Sequence, residues 1–191
     1  MGWIDKLKNI VHKKTTYAGM LDGISPIYSQ FGKNIYASDV VQQAMKCIVD
    51  EFVKLRPLHI REEGMDIRPV TGDLQSVLDC PNPLMSKSDF LEKITYNYLF
   101  DLNAWIIPIF YTYQDSKGNL QRHYTALYPV RPSQVTFIED ASDTMYVKME
   151  FANNFETTLP YDDLIHWRMN FSVNEYMGGN EFGQADYGPL L

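Results

Sequence analysis

The sequence predicts an α+β fold, with helices packed on an antiparallel β meander and an amphipathic arm in front. Three observations lead to this. Apolar residues recur at helical spacing over residues 40–53 and again over 86–102. From Ala104 the period drops to two. The segments that follow are separated by short turns rich in Asp, Asn, Gly and Ser. An aromatic content of 14%, with thirteen tyrosines, also favours β-structure and a core of amphipathic rings.

Taken in order, Trp3, Ile4, Leu7, Ile10 and Val11 form one stripe of a short helix, with Lys6, Lys8, Lys13 and Lys14 largely off it. Such a stripe more often packs on protein, its own or a neighbouring subunit's, than on a membrane surface. Residues 15–36 have no steady period and read as a linker, so residues 1–36 form an arm ahead of a domain over 37–170. Ser38 or Asp39 caps a helix whose Val40, Val41, Ala44, Met45, Ile48, Val49, Phe52 and Val53 make a wide apolar face, stopped by Pro57. Leu58, Ile60, Met65 and Ile67 alternate around Glu62-Glu63-Gly64, a hairpin signal.

A short helix from Asp73 to Leu78 then meets Pro81-Asn82-Pro83. Both prolines lack an N–H and push the preceding residue out of helical geometry, so this is a rigid corner. Asn82 is expected to bond neighbouring backbone and fix the angle. Ser86 with Asp89 is an acidic capping box for a helix that runs to about Leu102 and buries Phe90, Leu91, Ile94, Tyr98 and Leu99, with Asn103 at its end. Residues 104–113 read as a strand that Pro108 assigns to an edge or a bulge. Further strands are expected over 120–128, 134–138, 144–151, 155–159 and 164–168, the last introduced by Pro160-Tyr161-Asp162-Asp163. Residues 171–191 form a polar, Gly-rich tail.

A formal charge of −7 argues against a sequence-specific nucleic-acid reader, which carries a basic face. Cys47 and Cys80 form no CxxC and are expected to be reduced and buried. No apolar run approaches the roughly 18 residues of a membrane span, no signal peptide is evident, and Lys6 spoils a myristoylation signal after Met1-Gly2. Asp162, Asp163 and His166 are residue types that ligate metals, but His12, His59 and His123 are isolated, so His166 is read as one face of a strand after a turn. Pro129-Val130-Arg131-Pro132 is read as a rigid connection between strands and not as a peptide ligand. GxSxG, HExxH and phosphate-loop signatures are missing, so no catalytic residue, metal or cofactor is assigned and the chain is read as a non-enzyme.

The order of these segments resembles the portal proteins of tailed bacteriophages, in the branch typified by the Hong Kong coliphage. The matching stretches are Val41 to Pro57-Leu58-His59-Ile60; Val77-Leu78 through Pro81-Asn82-Pro83, Ser86 and Asp89 to Phe90-Leu91; Leu102-Asn103-Ala104-Trp105, with Leu102 where the family has Gly; Leu127-Tyr128-Pro129 to Pro132 and Val135; and Leu159-Pro160 through Asp163 to His166. Tyr187-Gly188-Pro189-Leu190-Leu191 falls where the family opens a long helical stem. The resemblance therefore implies the N-terminal, wing part of a structural protein. It also implies partners: other subunits in a dodecameric ring at a capsid vertex, capsid and connector proteins, a terminase motor that meets other parts of the portal, and double-stranded DNA passed without sequence preference. The implied locations are the virion and, during assembly, the host cytoplasm. The rival readings are a free-standing binding module that reuses the wing fold and an enzyme with an unrecognised site.

Overall fold

In the computed structural model, residues 15–20, 39–169 and 175–179 are described. The expected helix over 3–14, the rest of the linker and most of the Gly-rich tail lie outside them. The elements, in order, are strand β1 (Thr15–Met20), helix α1 (Asp39–Phe52), strands β2 (Ile60–Glu63) and β3 (Asp66–Pro69), helices α2 (Asp73–Asp79) and α3 (Lys87–Asp101), and strands β4 (Asn103–Gln114), β5 (Leu120–Val130), β6 (Gln134–Glu139), β7 (Met145–Glu150), β8 (Glu156–Pro160) and β9 (Ile165–Arg168). One helical turn, Tyr161–Asp163, separates β8 from β9.

The class is α+β, as the sequence predicts, but the strands do not form one continuous meander. They divide into a four-stranded sheet ordered β1-β6-β7-β8, a three-stranded sheet ordered β5-β4-β9, and the β2-β3 hairpin. β1 lies in the segment read as linker. Its register shifts between Thr16 and Gly19, which blurs any alternation a sequence reading could detect.

β4 holds the body together because both of its faces are buried. Successive side chains on a strand point to opposite sides. Trp105 enters one core with Val135, Phe137, Val147, Met149 and Met177. Ile106 enters a second core with Val77, Phe90, Leu91, Ile94 and Leu127. The unbroken run Ala104-Trp105-Ile106-Ile107 is what a doubly covered strand looks like in sequence. β4 is also central in its sheet over Asn103–Ile106, where β9 pairs with it. Pro108 lies just past that pairing, so its missing N–H costs no ladder bond on that side, and a bulge follows between Ile109 and Phe110. One strand thus serves as centre, edge and bulge in turn.

α1 is less buried than its wide apolar face predicts. Met45 and Val49 are buried, while Val40 is 76% and Ile48 51% exposed. The β2-β3 hairpin forms as expected, but Ile60, Met65 and Ile67 all face solvent. Both cysteines are exposed, against expectation. Cys47 stands on the solvent side of α1 next to the Met45–Val49 contact, and Cys80 lies on the outer side of the corner.

At that corner Asn82 does more than turn the chain. Its Oδ1 accepts from the Leu84 N–H at 2.9 Å, the neighbouring bond the sequence leads one to expect. Its Nδ2 donates to the Leu127 carbonyl at 2.8 Å, and the Pro81 carbonyl accepts from the Leu127 N–H at 2.7 Å. Both outward groups of Leu127 on edge strand β5 are therefore satisfied by the corner, as a pairing strand would satisfy them. The Ser86–Asp89 capping box is formed, with the Asp89 carboxyl held below its ordinary range by its bonds to Ser86.

Substitutions at Phe90 and Asn82 test this packing. Phe90→Ala should cost about 3 kcal/mol, the usual range for a buried aromatic; a denaturant melt that matches the parent would show that the core is organised elsewhere. Asn82→Ala should cost about 1–3 kcal/mol by leaving the Leu127 carbonyl buried without its donor. Asn82→Asp should melt lower still, since it sets a carboxylate against that carbonyl.

Candidate functional site

The residues singled out in sequence assemble into two groups. Pro81, Asn82, Ser86, Asp89 and Phe90 form the corner, joined through Leu127 to Tyr128 and Pro129 of β5. Pro83 is exposed beside them. The second group lies where α3 ends. Leu102 takes a left-handed backbone there, φ 53°. That conformation costs a non-glycine residue about 1–2 kcal/mol, and the Leu102 side chain offsets it by being 2% exposed.

Asn103 follows, almost wholly buried. Its Nδ2 donates to the carbonyls of Asp101 and Gly178, at 2.9 and 3.0 Å. Its Oδ1 accepts from the Gly178 N–H at 2.8 Å and lies 2.9 Å from His166 Nε2. A backbone N–H can only donate, which fixes the amide orientation and makes His166 Nε2 the protonated nitrogen. Nδ1 is then left to accept from the Tyr161 hydroxyl at 3.3 Å. The ring stacks on Trp105 at 3.6 Å between centroids. Burial, with Arg168 nearby, pushes the His166 pKa down to about 3. His166 is thus a neutral, doubly bonded imidazole that locks β9 to β4, and neither nitrogen is available to a metal or substrate.

The neighbouring Asp163 is also engaged structurally. Asp163 pairs with Arg122 at 2.8 Å, and the Arg122 guanidinium sits over the Phe110 ring. His123 is not isolated: it pairs with Asp73 and stacks on Tyr111. Among the described residues no group of three or more His, Cys, Asp or Glu is arranged to hold a metal ion.

Sequence reasoning missed three partners. The first is Gly178, whose backbone faces Asn103 like a paired strand. A Cβ there would come within 2.3 Å of the Leu102 carbonyl and 2.5 Å of the Met169 carbonyl, so only glycine fits. The second is Met177, completely buried against Trp105 and Phe137 in a tail whose composition reads as solvated. The apolar pair Tyr176-Met177 between polar residues was the available signal. The third is Arg131, which holds Asp101 through two bonds of 2.8 and 2.9 Å and lies over Phe100. Asp101 sits at the negative end of α3, where an anion is disfavoured. Burial raises its pKa and Arg131 opposes that rise. Pro132, buried, then directs the chain from Arg131 into β6, while Pro160 ends β8 opposite Tyr146.

Outside this frame the described surface includes two apolar grooves that β9 helps to line. One, of about 600 Å³, is lined by Leu58, Ile60, Leu74, Phe110, Tyr124 and Ile165. The other, of about 650 Å³, lies between α1, α3 and β9 and includes Ile48, Phe52, Tyr98 and Trp167. These surfaces can bury another apolar chain, and no arrangement of reactive groups accompanies them.

Gly178→Ala should cost about 2–3 kcal/mol through overpacking against backbone and should expose the Tyr176–Gly179 segment to limited proteolysis. His166 sets a pH dependence. Between its unfolded value of 6.5 and its folded value of about 3, the unfolded chain takes up a proton that the folded chain does not. Its contribution is therefore full above pH 6.5 and declines as pH falls, by about 1.4 kcal/mol per unit. Urea melts of the parent should show this slope between about pH 6 and 4.5, and His166→Gln should flatten it.

Comparison with known proteins agrees with this architecture. A model described as "Phage portal protein" matches residues 39–185. No curated protein matches the chain. Among solved structures, a chain of "Neck of empty GTA particle computed with C6 symmetry" superposes with a TM-score of 0.58 at 12% identity, over 76% of this chain and 38% of that one. That likeness is one of fold, and the present chain spans well under half the length of its structural neighbour. With a family match over most of its length, the chain belongs to the phage portal protein family.

Proposed function

We propose that this chain supplies the wing of a portal, a non-enzymatic structural subunit of the ring at one capsid vertex through which DNA is packaged and ejected. The match of residues 39–185 to the portal family carries this reading. The geometry supports it. The polar groups most suggestive of chemistry, Asn103, His166 and Asp163, are occupied in holding strands together, while the exposed apolar grooves suit contact with other chains. Residues 37–170 act as the wing-like domain, with 1–36 as an arm and 171–191 leading toward a stem.

In this role the partners are further copies of the subunit, twelve in the ring, together with capsid and connector proteins. The terminase motor meets parts of a portal other than the wing. The charge of −7 suits a conduit wall, which repels phosphates and so lets duplex DNA slide without sequence preference. The protein resides in the virion, and in the host cytoplasm during assembly.

Immunogold electron microscopy tests this. Antibodies raised against the solvent-facing Ile60–Pro69 hairpin should label particles made by the cell that encodes the chain at one spot per capsid. Label spread over the shell, or particles free of the chain, would refute the portal role and favour a free-standing module.

A further inference from the structure

The four-stranded sheet has one face in the Trp105 core and one outside it. Val135 and Phe137 of β6, with Val147 and Met149 of β7, point inward. Strand alternation puts Ile138 of β6 and Tyr146 of β7 on the opposite side, and the two are directly paired. Pro160 of β8 is next in the same row, opposite Tyr146. An apolar row therefore crosses the outward face at one end. The adjoining rows are polar: Thr136, Lys148 and Thr158, then Gln134, Glu150 and Glu156.

Ile138 is 5% exposed, yet it belongs to neither core. An isoleucine buried on the outward side of a sheet implies a cover on that side.

Topology points to the segment just ahead of β1. That strand enters the sheet at this end, with Thr15 opposite Glu139 and Thr16 opposite Ile138. The preceding residues carry the stripe Trp3, Ile4, Leu7, Ile10 and Val11. Only residues 12–14 lie between, a tether of about 10 Å. Tyr146 is two strand spacings from β1, also about 10 Å. A helix over residues 3–11 is about 13 Å long, close to the three spacings, about 14 Å, from β1 to β8. So short a tether presents the stripe to its own chain at an effective concentration on the order of millimolar.

Charge points the same way. Residues 1–14 carry four lysines against one aspartate, a charge of +3. The turn that borders the apolar row has the opposite sign. It holds Glu139, Asp140 and Asp143, and no lysine or arginine lies between Gln134 and Val147. The backbone N–H groups of Thr144 and Ser142 hold the Asp140 carboxyl below its ordinary range, so it stays ionised. The far end of the face has no such match, since Lys148 is already held by Glu150 and Glu156.

We infer that the N-terminal stripe Trp3–Val11 folds back on its own chain and seals the Ile138–Tyr146–Pro160 row, as an outer layer on the four-stranded sheet. The arm is then part of the domain, and its apolar stripe is withheld from neighbouring copies and from membranes. This reading is independent of the portal role.

Isoleucine-methyl NMR on the full chain tests it. Leu7→Ser should shift the Ile138 δ1-methyl resonance and leave that of Ile94, in the other core, in place. The sheet itself is unaltered in this variant. Trypsin supplies a second readout, because Lys6, Lys8, Lys13 and Lys14 lie on the arm. Cleavage there should be about tenfold or more slower in the parent than in Leu7→Ser. The parent's rate should be the same at ~1 and ~100 µM protein, since the contact is within one chain. An unmoved Ile138 resonance, arms cut equally fast, or protection that grows with concentration would overturn the inference, the last by assigning the contact to a second copy.

Discussion

The body of this protein depends on one buried carboxamide. Asn103 stands at the point where α3 becomes β4, and its side chain bonds to groups from three other places in the chain: the end of α3, β9 through His166, and the Gly178 backbone. A buried amide with all its bonds made is a specific fastener, because any shift in register leaves a polar group unpaired at a cost of about 1–3 kcal/mol. It also determines the chemistry next to it. The Gly178 N–H forces the amide orientation, that orientation fixes the His166 tautomer, and the tautomer makes Nδ1 the acceptor for Tyr161. A histidine beside two aspartates in sequence thereby becomes a structural strut.

From Asn103 the chain enters the one strand that both cores share. Because β4 sends Trp105 one way and Ile106 the other, the helices and the four-stranded sheet are two layers on one backbone. The corner at Pro81–Pro83 then closes the outer side of β5 at Leu127, so this edge is satisfied locally where the hydrophobic core passes beneath it. Met177 closes the other core. The segment that follows β9 folds back and fills a gap beside Trp105, held there by the Asn103–Gly178 pair.

The sequence made the local devices legible and left the long-range ones hidden. The capping box, the corner, the period change at Ala104 and every strand of the β region appear in it because each is written in adjacent residues. Asn82 was legible as a turn residue, yet its bond to Leu127 spans 45 positions, and no local pattern encodes that distance. The division into two sheets was hidden for the same reason: alternation shows that a strand has a face, not which sheet that face joins. Met177 was missed because four glycines in the tail dominate its composition, whereas burial is decided by one methionine and one backbone approach. The exposure of α1 was missed in the opposite sense. Its apolar face is wide enough for two contacts, and the body covers only the side that carries Met45 and Val49.

That surplus of apolar surface bears on the proposed portal role. Isolated exposed hydrophobes are ordinary, but here they gather around β9, where the inner groups are already committed to Asn103 and Trp105. A ring subunit has two requirements that pull against each other. It must be stiff enough to pass load between neighbours, and it must leave adhesive faces uncovered until neighbours arrive. Here the stiffness comes from polar fasteners inside, Asn103 with Gly178, Arg131 with Asp101 and Asn82 with Leu127, so the apolar faces outside need not be consumed to obtain it. The same division gives Asp163, His123 and His166 structural work: in this fold they are joints.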